Sequence, residues 1–155
     1  MMDYLQVDFR DKALFLELFG EDVYAVGGFI RDYLRQDPSE DVDILILKHP
    51  VEEIVAKLKP HGRVDLVGKS FGVIKFTREG KTYDIALPRI DRPKETLQRT
   101  HKDFQIIADP NLPLEKDLAR RDFRCNSIAL RLVDGRLFDP FNGQADIKNK
   151  ILRMT

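Results

Sequence analysis

Apolar positions recur at helical spacing through residues 8–19, where Phe9, Ala13, Leu14, Leu16, Leu18 and Phe19 share a stripe and Gly20 offers a stop. The pattern then changes. Residues 23–26 form a short unbroken apolar run, the mark of a buried strand, and Gly27-Gly28 closes it. Residues 29–35 predict a helical piece that ends before Asp37-Pro38. Residues 41–47 predict a second strand, in which Ile44, Leu45, Ile46 and Leu47 are apolar without interruption. Pro50 suits the first turn of a helix to Leu58, with Val51, Ile54, Val55 and Leu58 on its stripe, and Pro60-His61-Gly62 breaks it. Residues 64–67 predict a strand that leads through 68–71 to another at 73–77. Gly80-Lys81 then turns the chain into a return strand at 82–87.

Residues 88–113 hold Pro88, Pro93, Pro110 and Pro113 and show little periodicity. They predict one long loop, and loops of that length are usually functional or disordered. Residues 114–126 predict partial helix. Residues 128–133 and 136–138 predict a hairpin around Asp134-Gly135. A helix is expected over 146–152, presenting Ile147, Ile151 and Leu152 as a partner surface. The fold class is α+β (mixed): a central mixed sheet of about five strands flanked by helices, plus a C-terminal hairpin and a helix start.

Composition narrows this little. At 155 residues, 43% apolar and 34% charged, the chain is one ordinary globular domain with room for a core. Lys+Arg and Asp+Glu are 26 each, so whole-chain charge gives no nucleic-acid footprint. The single cysteine, Cys125, excludes an internal disulfide and a cysteine zinc site. With no apolar run long enough to span a membrane and no signal peptide, the expectation is a cytoplasmic protein with no membrane partner.

The candidate chemistry lies in residues 26–46. Asp41 and Asp43 stand two apart, so in a strand both side chains face one way while Val42 faces the core. Two adjacent carboxylates repel unless a cation sits between them. Ligation by oxygen alone favours Mg2+. Gly27 and Gly28, at a strand-to-helix junction, let backbone amides approach an anion. A phosphate cradle beside metal carboxylates suggests chemistry on a nucleoside triphosphate. Each feature alone is weak; the order strand, Gly-Gly, Arg31, then Asp-x-Asp entering a second strand is a compound signal.

That order matches the polymerase-beta-like nucleotidyltransferase superfamily. GGFIRDYL with DVDI, RRDF and Asn126 at 120–126, and DPFNGQADIKNKILR at 139–153 together resemble the class II tRNA nucleotidyltransferases, the bacterial CCA-adding enzymes and related poly(A) polymerases. FGVIKF and YDIALPR match in kind. The resemblance implies that Gly27, Gly28, Arg31 and Asp32 belong to the triphosphate site and that Asp41 and Asp43 hold the metals. It implies that Arg120, Arg121, Asp122 and Asn126 position the nucleotide and its sugar. Asp139, Gly143, Asp146 and Arg153 then belong to a motif joining the catalytic head to the next segment. Asp84 reads equally as a third carboxylate and as an exposed strand acid. The implied reaction adds CMP or AMP, from CTP or ATP, to an RNA 3′-hydroxyl at the tRNA end.

The chain also departs from the family pattern. Gln36 stands where a glycine is common. RRDFRCNS carries Arg124, Cys125 and Ser127 in place of the usual threonine, apolar residue and alanine, which puts sugar preference in question. Residues 95–104 lack glycines that many relatives have. Relatives continue into neck, body and tail domains; residues 1–155 read as the head alone, with a separate body subunit or a homo-oligomer as the partner arrangements to consider. A small nucleotidyltransferase acting on another RNA or on a protein hydroxyl, and a poly(A) polymerase head, are the alternatives. Arg89, just after the Asp84 strand, reads as a phosphate contact or, the expectation taken, as one partner of a surface ion pair; Cys125 is expected half-buried, and His101 with Asp103 as a loop pair.

Overall fold

The longest apolar runs sit in the middle of the sheet. A computed structural model describes residues 1–67, 73–93 and 104–155. In chain order the elements are α1 (Lys12–Phe19), β1 (Val23–Val26), α2 (Gly28–Leu34), β2 (Asp43–Ile46), α3 (Val51–Leu58), β3 (Arg63–Val67), β4 (Val73–Arg78) and β5 (Lys81–Ala86). They are followed by β6 (Arg89–Pro93), β7 (Phe104–Ala108), α4 (Leu114–Ala119), β8 (Ala129–Arg131), β9 (Leu137–Phe138) and α5 (Gly143–Asn149). The sheet order is β3-β4-β5-β2-β1-β8-β9, with β2 and β5 parallel and the other pairs antiparallel. β6 and β7 form a separate two-stranded ribbon.

The two sheet faces bury different sets. α1, α2 and α3 cover one face and contribute Phe15, Phe19, Phe29, Ile30, Ile54 and Leu58 to the main core. Strand alternation sends Ile44, Ile46, Ile74, Phe76, Tyr83 and Ile85 to meet them. On the other face α4 lays Leu114 and Leu118 over Val26, Leu45 and Leu47. Burying Leu118 alone contributes about 1.5–3 kcal/mol. The cluster also takes in Ala129 of β8 and the partly buried Ala86 of β5. Asp43 and Asp84 point to this side of the sheet, as Leu45 and Ala86 two residues on do, but Asp43 is only partly buried and Asp84 is exposed.

Several elements differ from the sequence expectation. The sheet has seven strands rather than about five, because β8 and β9 join it and β3 extends it. The stretch expected to be a long loop holds β6 and β7, which pair from Arg89↔Ala108 to Pro93↔Phe104. β2 begins at Asp43, so Asp41 lies in the preceding irregular segment and is exposed, while Val42 is buried. α1 begins at Lys12, and partial helix after Leu114 ends at Ala119. α5 spans Gly143–Asn149 because Asn142 and Lys150 take left-handed conformations at its two ends. Ile151 and Leu152 therefore lie outside it, and Ile147 packs on the main core, so the expected helical partner surface does not form. Cys125 is buried rather than half-buried. Residues 68–71, 95–103 and the His101–Asp103 pair lie outside the described residues. Among those described, no helix is long and apolar enough to cross a membrane.

One buried charge fixes the N-terminal segment. Asp11 accepts hydrogen bonds from Arg10, Arg78 and the Tyr83 hydroxyl. Burial pushes its pKa up, but those donors outweigh it and hold the carboxyl below its ordinary range.

Candidate active site

Gly27 follows β1 directly, in a left-handed conformation at φ 65° that favours glycine. A Cβ there would lie 3.4 Å from Arg121 Nη1 and 3.8 Å from Asp43 Oδ2. A guanidinium and a carboxylate thus close over the same backbone position. At Gly28 the nearest atom to such a Cβ is Arg31 Nη2, at 3.3 Å.

The carboxylates meet through strand register. Asp43 is opposite Asp84 in the parallel β2–β5 ladder. Asp41, just before the strand, lies near enough for its charge to act on Asp43; its own N–H is tied to Ser39 Oγ at 3.1 Å and Lys81 donates to the neighbouring Glu40 carbonyl. Burial raises the Asp43 pKa first; Asp84 and then Asp41 push the same way, against Arg121 and Arg31. Asp84 weighs more than Asp41 in this balance. Asp84 itself pairs with Lys75, Nζ to Oδ1 at 3.3 Å.

Facing them is a wall of cations. Arg31 donates through Nε to Asp32 at 3.0 Å and through Nη1 to Asn126 Oδ1 at 2.9 Å. Asn126 Nδ2 donates onward to Asp122 at 3.4 Å. Arg120 Nε and Arg121 Nη2 donate to the two oxygens of Asp117, at 3.0 and 3.3 Å. Burial pulls the Arg121 pKa down, with Asp117 the leading opposition. Its Nε is buried and has no hydrogen-bond partner among the described residues, which leave this cation incompletely satisfied.

Eight of the sequence-predicted residues (Gly27, Gly28, Arg31, Asp43, Arg120, Arg121, Asp122 and Asn126) line one open cavity of about 420 Å³. Asp32 stands behind Arg31 as its partner. Asp41 and Asp84 flank Asp43 outside the cavity wall. Arg89, expected on the surface, lines the cavity as well, and its backbone N–H donates to Asp117 Oδ1 at 3.1 Å. Asp117 was not singled out in the sequence. It stands three and four residues before Arg120 and Arg121, the spacing at which helical side chains meet, and that is the signal that marks it.

The last motif braces this wall. Asp139 accepts from the Gly143 and Gln144 N–H groups at 2.7 and 3.0 Å and so caps α5. Asp146 is buried, with Arg153 Nε at 3.6 Å. Residues 153–155 run back along 122–124, through Arg124 N–H to the Arg153 carbonyl and Thr155 N–H to the Asp122 carbonyl. Ser127 fits this return: its hydroxyl donates to the Phe123 carbonyl at 3.0 Å and lies 2.9 Å from Thr155 Oγ1. Arg124 donates to the Met154 carbonyl and is not among the residues around the cavity.

α5 seats against the 124–126 turn only because residue 143 has no side chain. A Cβ would stand 2.1 Å from the Arg124 carbonyl oxygen and 3.1 Å from Cys125 Cα, both backbone. Gly143→Ala is expected to destabilise the chain by about 2–3 kcal/mol, read by chemical denaturation. A midpoint within error of wild type would show that the turn gives way freely.

Known proteins are similar to this chain in sequence and fold. A family model described as the poly A polymerase head domain matches residues 23–153. The multifunctional CCA protein of Xanthomonas euvesicatoria pv. vesicatoria (strain 85-10) is 39% identical over 132 residues, covering 84% of this chain and 30% of its own. The Bacillus stearothermophilus CCA-adding enzyme in complex with CTP superposes with a TM-score of 0.67 at 29% identity, covering 92% of this chain and 31% of that one. The Thermotoga maritima CCA-adding enzyme complexed with tRNA gives 0.67 at 28%, covering 96% and 33%. The chain thus spans about a third of the length of the relatives it matches. With the family model extending over nearly every element that builds the cavity, the chain belongs to the poly A polymerase head domain family.

Proposed function

We propose that this chain is the catalytic head of a nucleotidyltransferase that moves CMP or AMP from CTP or ATP to the 3′-hydroxyl of a tRNA end. The observation that carries the reading is the facing of Asp43, with Asp84 and Asp41, against Arg31, Arg120 and Arg121 across Gly27. The relatives are CCA-adding proteins, one held with CTP and one with tRNA.

The acceptor O3′ forms a bond to the α-phosphorus, the bond from that phosphorus to the pyrophosphate oxygen breaks, and the hydroxyl proton is released. Positioning and charge do most of such work. Arg121 and Arg31 beside Gly27 and Gly28 take the β- and γ-phosphates. Arg120 adds charge behind them, and Arg31 holds Asn126, which with Asp122 meets the sugar side. The Asp41–Asp43 pair fits Mg2+: it is crowded, anionic and all-oxygen. Among the described residues no three His, Cys, Asp or Glu side chains are grouped to hold a metal, so an ion held by the pair would draw further ligands from elsewhere, such as phosphate and water oxygens. Bound there, the ion supplies charge neutralisation at the attacking and leaving oxygens.

The test incubates the chain with Mg2+, each labelled nucleoside triphosphate, and tRNAs ending before CCA, after C and after CC. Label from CTP and ATP on RNA is the expected result. Runs of A alone on every RNA would move the assignment to poly(A) synthesis, as the matched family's description allows. Label on protein with none on RNA would overturn it.

A further inference from the structure

Lys75 stands on the open sheet face beside the site, and no step above uses it. It is directly opposite Asp84 in the antiparallel β4–β5 ladder, while Asp84 is opposite Asp43 in the parallel ladder. The row across three strands therefore reads cation, carboxylate, carboxylate, with the Gly27 backbone and Arg121 Nη1 beyond Asp43. Asp84 has neighbours of opposite sign. Lys75 draws it at 3.3 Å, and Asp43 repels it. On its far side Lys75 is opposite Asp65, but that carboxylate accepts from Arg63 Nε at 2.8 Å.

The Lys75–Asp84 pair is about half exposed at each end, 46% and 52%. Ion pairs this wet contribute little to folding and exchange at little cost. Asp84 is also the acid that presses hardest on Asp43 among the charged neighbours. Like charges this close call for a cation, and Lys75 supplies one from the side away from the arginines.

Resting on the nucleotidyltransferase reading, we infer that Lys75 is the resident counter-ion of Asp84 and competes with a divalent cation for it. While Lys75 holds Asp84, the site has a two-carboxylate metal pair. When a divalent ion takes Asp84, it becomes the third carboxylate and the Lys75 ammonium is released. Lys75 thereby sets how much divalent ion the site needs. It acts through Asp84 and is a positioning residue.

Lys75→Met keeps the aliphatic stem and removes the charge. Mn2+ binding to the nucleotide-free chain, followed by the paramagnetic resonance of free Mn2+, is expected to tighten about three- to fivefold in this variant. In an Asp84→Asn background the same change is expected to give no gain. Lys75→Arg should bind Mn2+ as wild type does. Equal tightening with and without Asp84 would make Lys75 a diffuse charge and overturn the exchange. Unchanged affinity in Lys75→Met would overturn it too, while wild-type Mn2+ binding left the carboxylate pair standing. A wild-type chain that binds no Mn2+ would instead remove the metal reading and this inference with it. Thermal melts of all variants check that each is folded.

Discussion

Asp43→Asn is expected to lower turnover by about three orders of magnitude or more, with the fold intact. Asp43 is the carboxylate through which the site's charges meet: Asp84 across the ladder, Asp41 before it, Arg121 and Arg31 on the other side. Asparagine keeps the shape and loses the anionic oxygen. The same substitution should not weaken the metal-free protein. Burial raises the Asp43 pKa above its unfolded value, and Asp84 adds to the rise. The native state then holds this proton more tightly than the unfolded chain, so stability falls as pH rises through the window between the two pKa values. Above that window the ionised carboxylate is a standing cost, and Asn removes it. At pH 7 without metal, the variant should melt at or above wild type. Below the unfolded carboxyl value of about 4 both side chains are neutral and the difference should vanish. Added Mg2+ should reverse the order, because only wild type gains stability from binding. Near-wild-type turnover, or a clear loss of metal-free stability at pH 7, would remove Asp43 from the centre of the site.

Features legible in the sequence share a physical origin: they are short-range. The runs of β1 and β2 are apolar throughout because both faces are covered, one by the three N-terminal helices and one by α4. Val42 between two aspartates shows which way each side chain turns, even though the strand itself starts two residues later than that pattern suggests. The glycine pair marks a junction, and its φ of 65° at Gly27 is the reason a glycine is there. Features that escaped are set by distant partners. β6 and β7 pair across an intervening stretch, and neither carries a turn signal that names the other. Asp11 falls within the helical stretch expected over 8–19, and no local pattern marks it; Arg78 and Tyr83, far along the chain, join Arg10 in making it a buried anion. The end of α5 escaped for another reason. Apolar spacing continues to Leu152, but Lys150 at φ 55° ends the helix first. Asp84 lies between these cases. Its place on a strand was readable, whereas its two neighbours, Asp43 and Lys75, follow from register alone.

Asp117→Asn is expected to raise the nucleotide KM by about 30- to 100-fold, with kcat at saturating nucleotide changed less than about tenfold. Asp117 is fully buried and is shared by two arginines whose side chains are only 17% and 16% exposed. Its Oδ1 also takes the Arg89 N–H. One carboxylate thus fixes the backbone or head group of three residues that line the cavity. Asparagine removes the charge and turns a donor toward one guanidinium. Removing one partner of a buried ion pair costs about 3–5 kcal/mol, so a loss of about 3 kcal/mol in stability is expected as well. Saturating CTP or ATP should restore part of that loss, since a triphosphate brings the missing negative charge, and the ligand-induced rise in melting temperature should exceed that of wild type. Leu118→Ala separates position from packing. Leu118 is on the same helix, buried and apolar, and its truncation should cost a similar 2–5 kcal/mol. Its side chain packs in the apolar cluster with Val26, Leu45 and Leu47, and its carbonyl, which takes the Arg121 N–H, is kept in alanine, so the variant's KM should stay near wild type at temperatures well below its melting point. If the two variants raised KM equally, Asp117 would be a packing residue. If only Asp117→Asn does, the charge at position 117 holds the arginines where the triphosphate meets them.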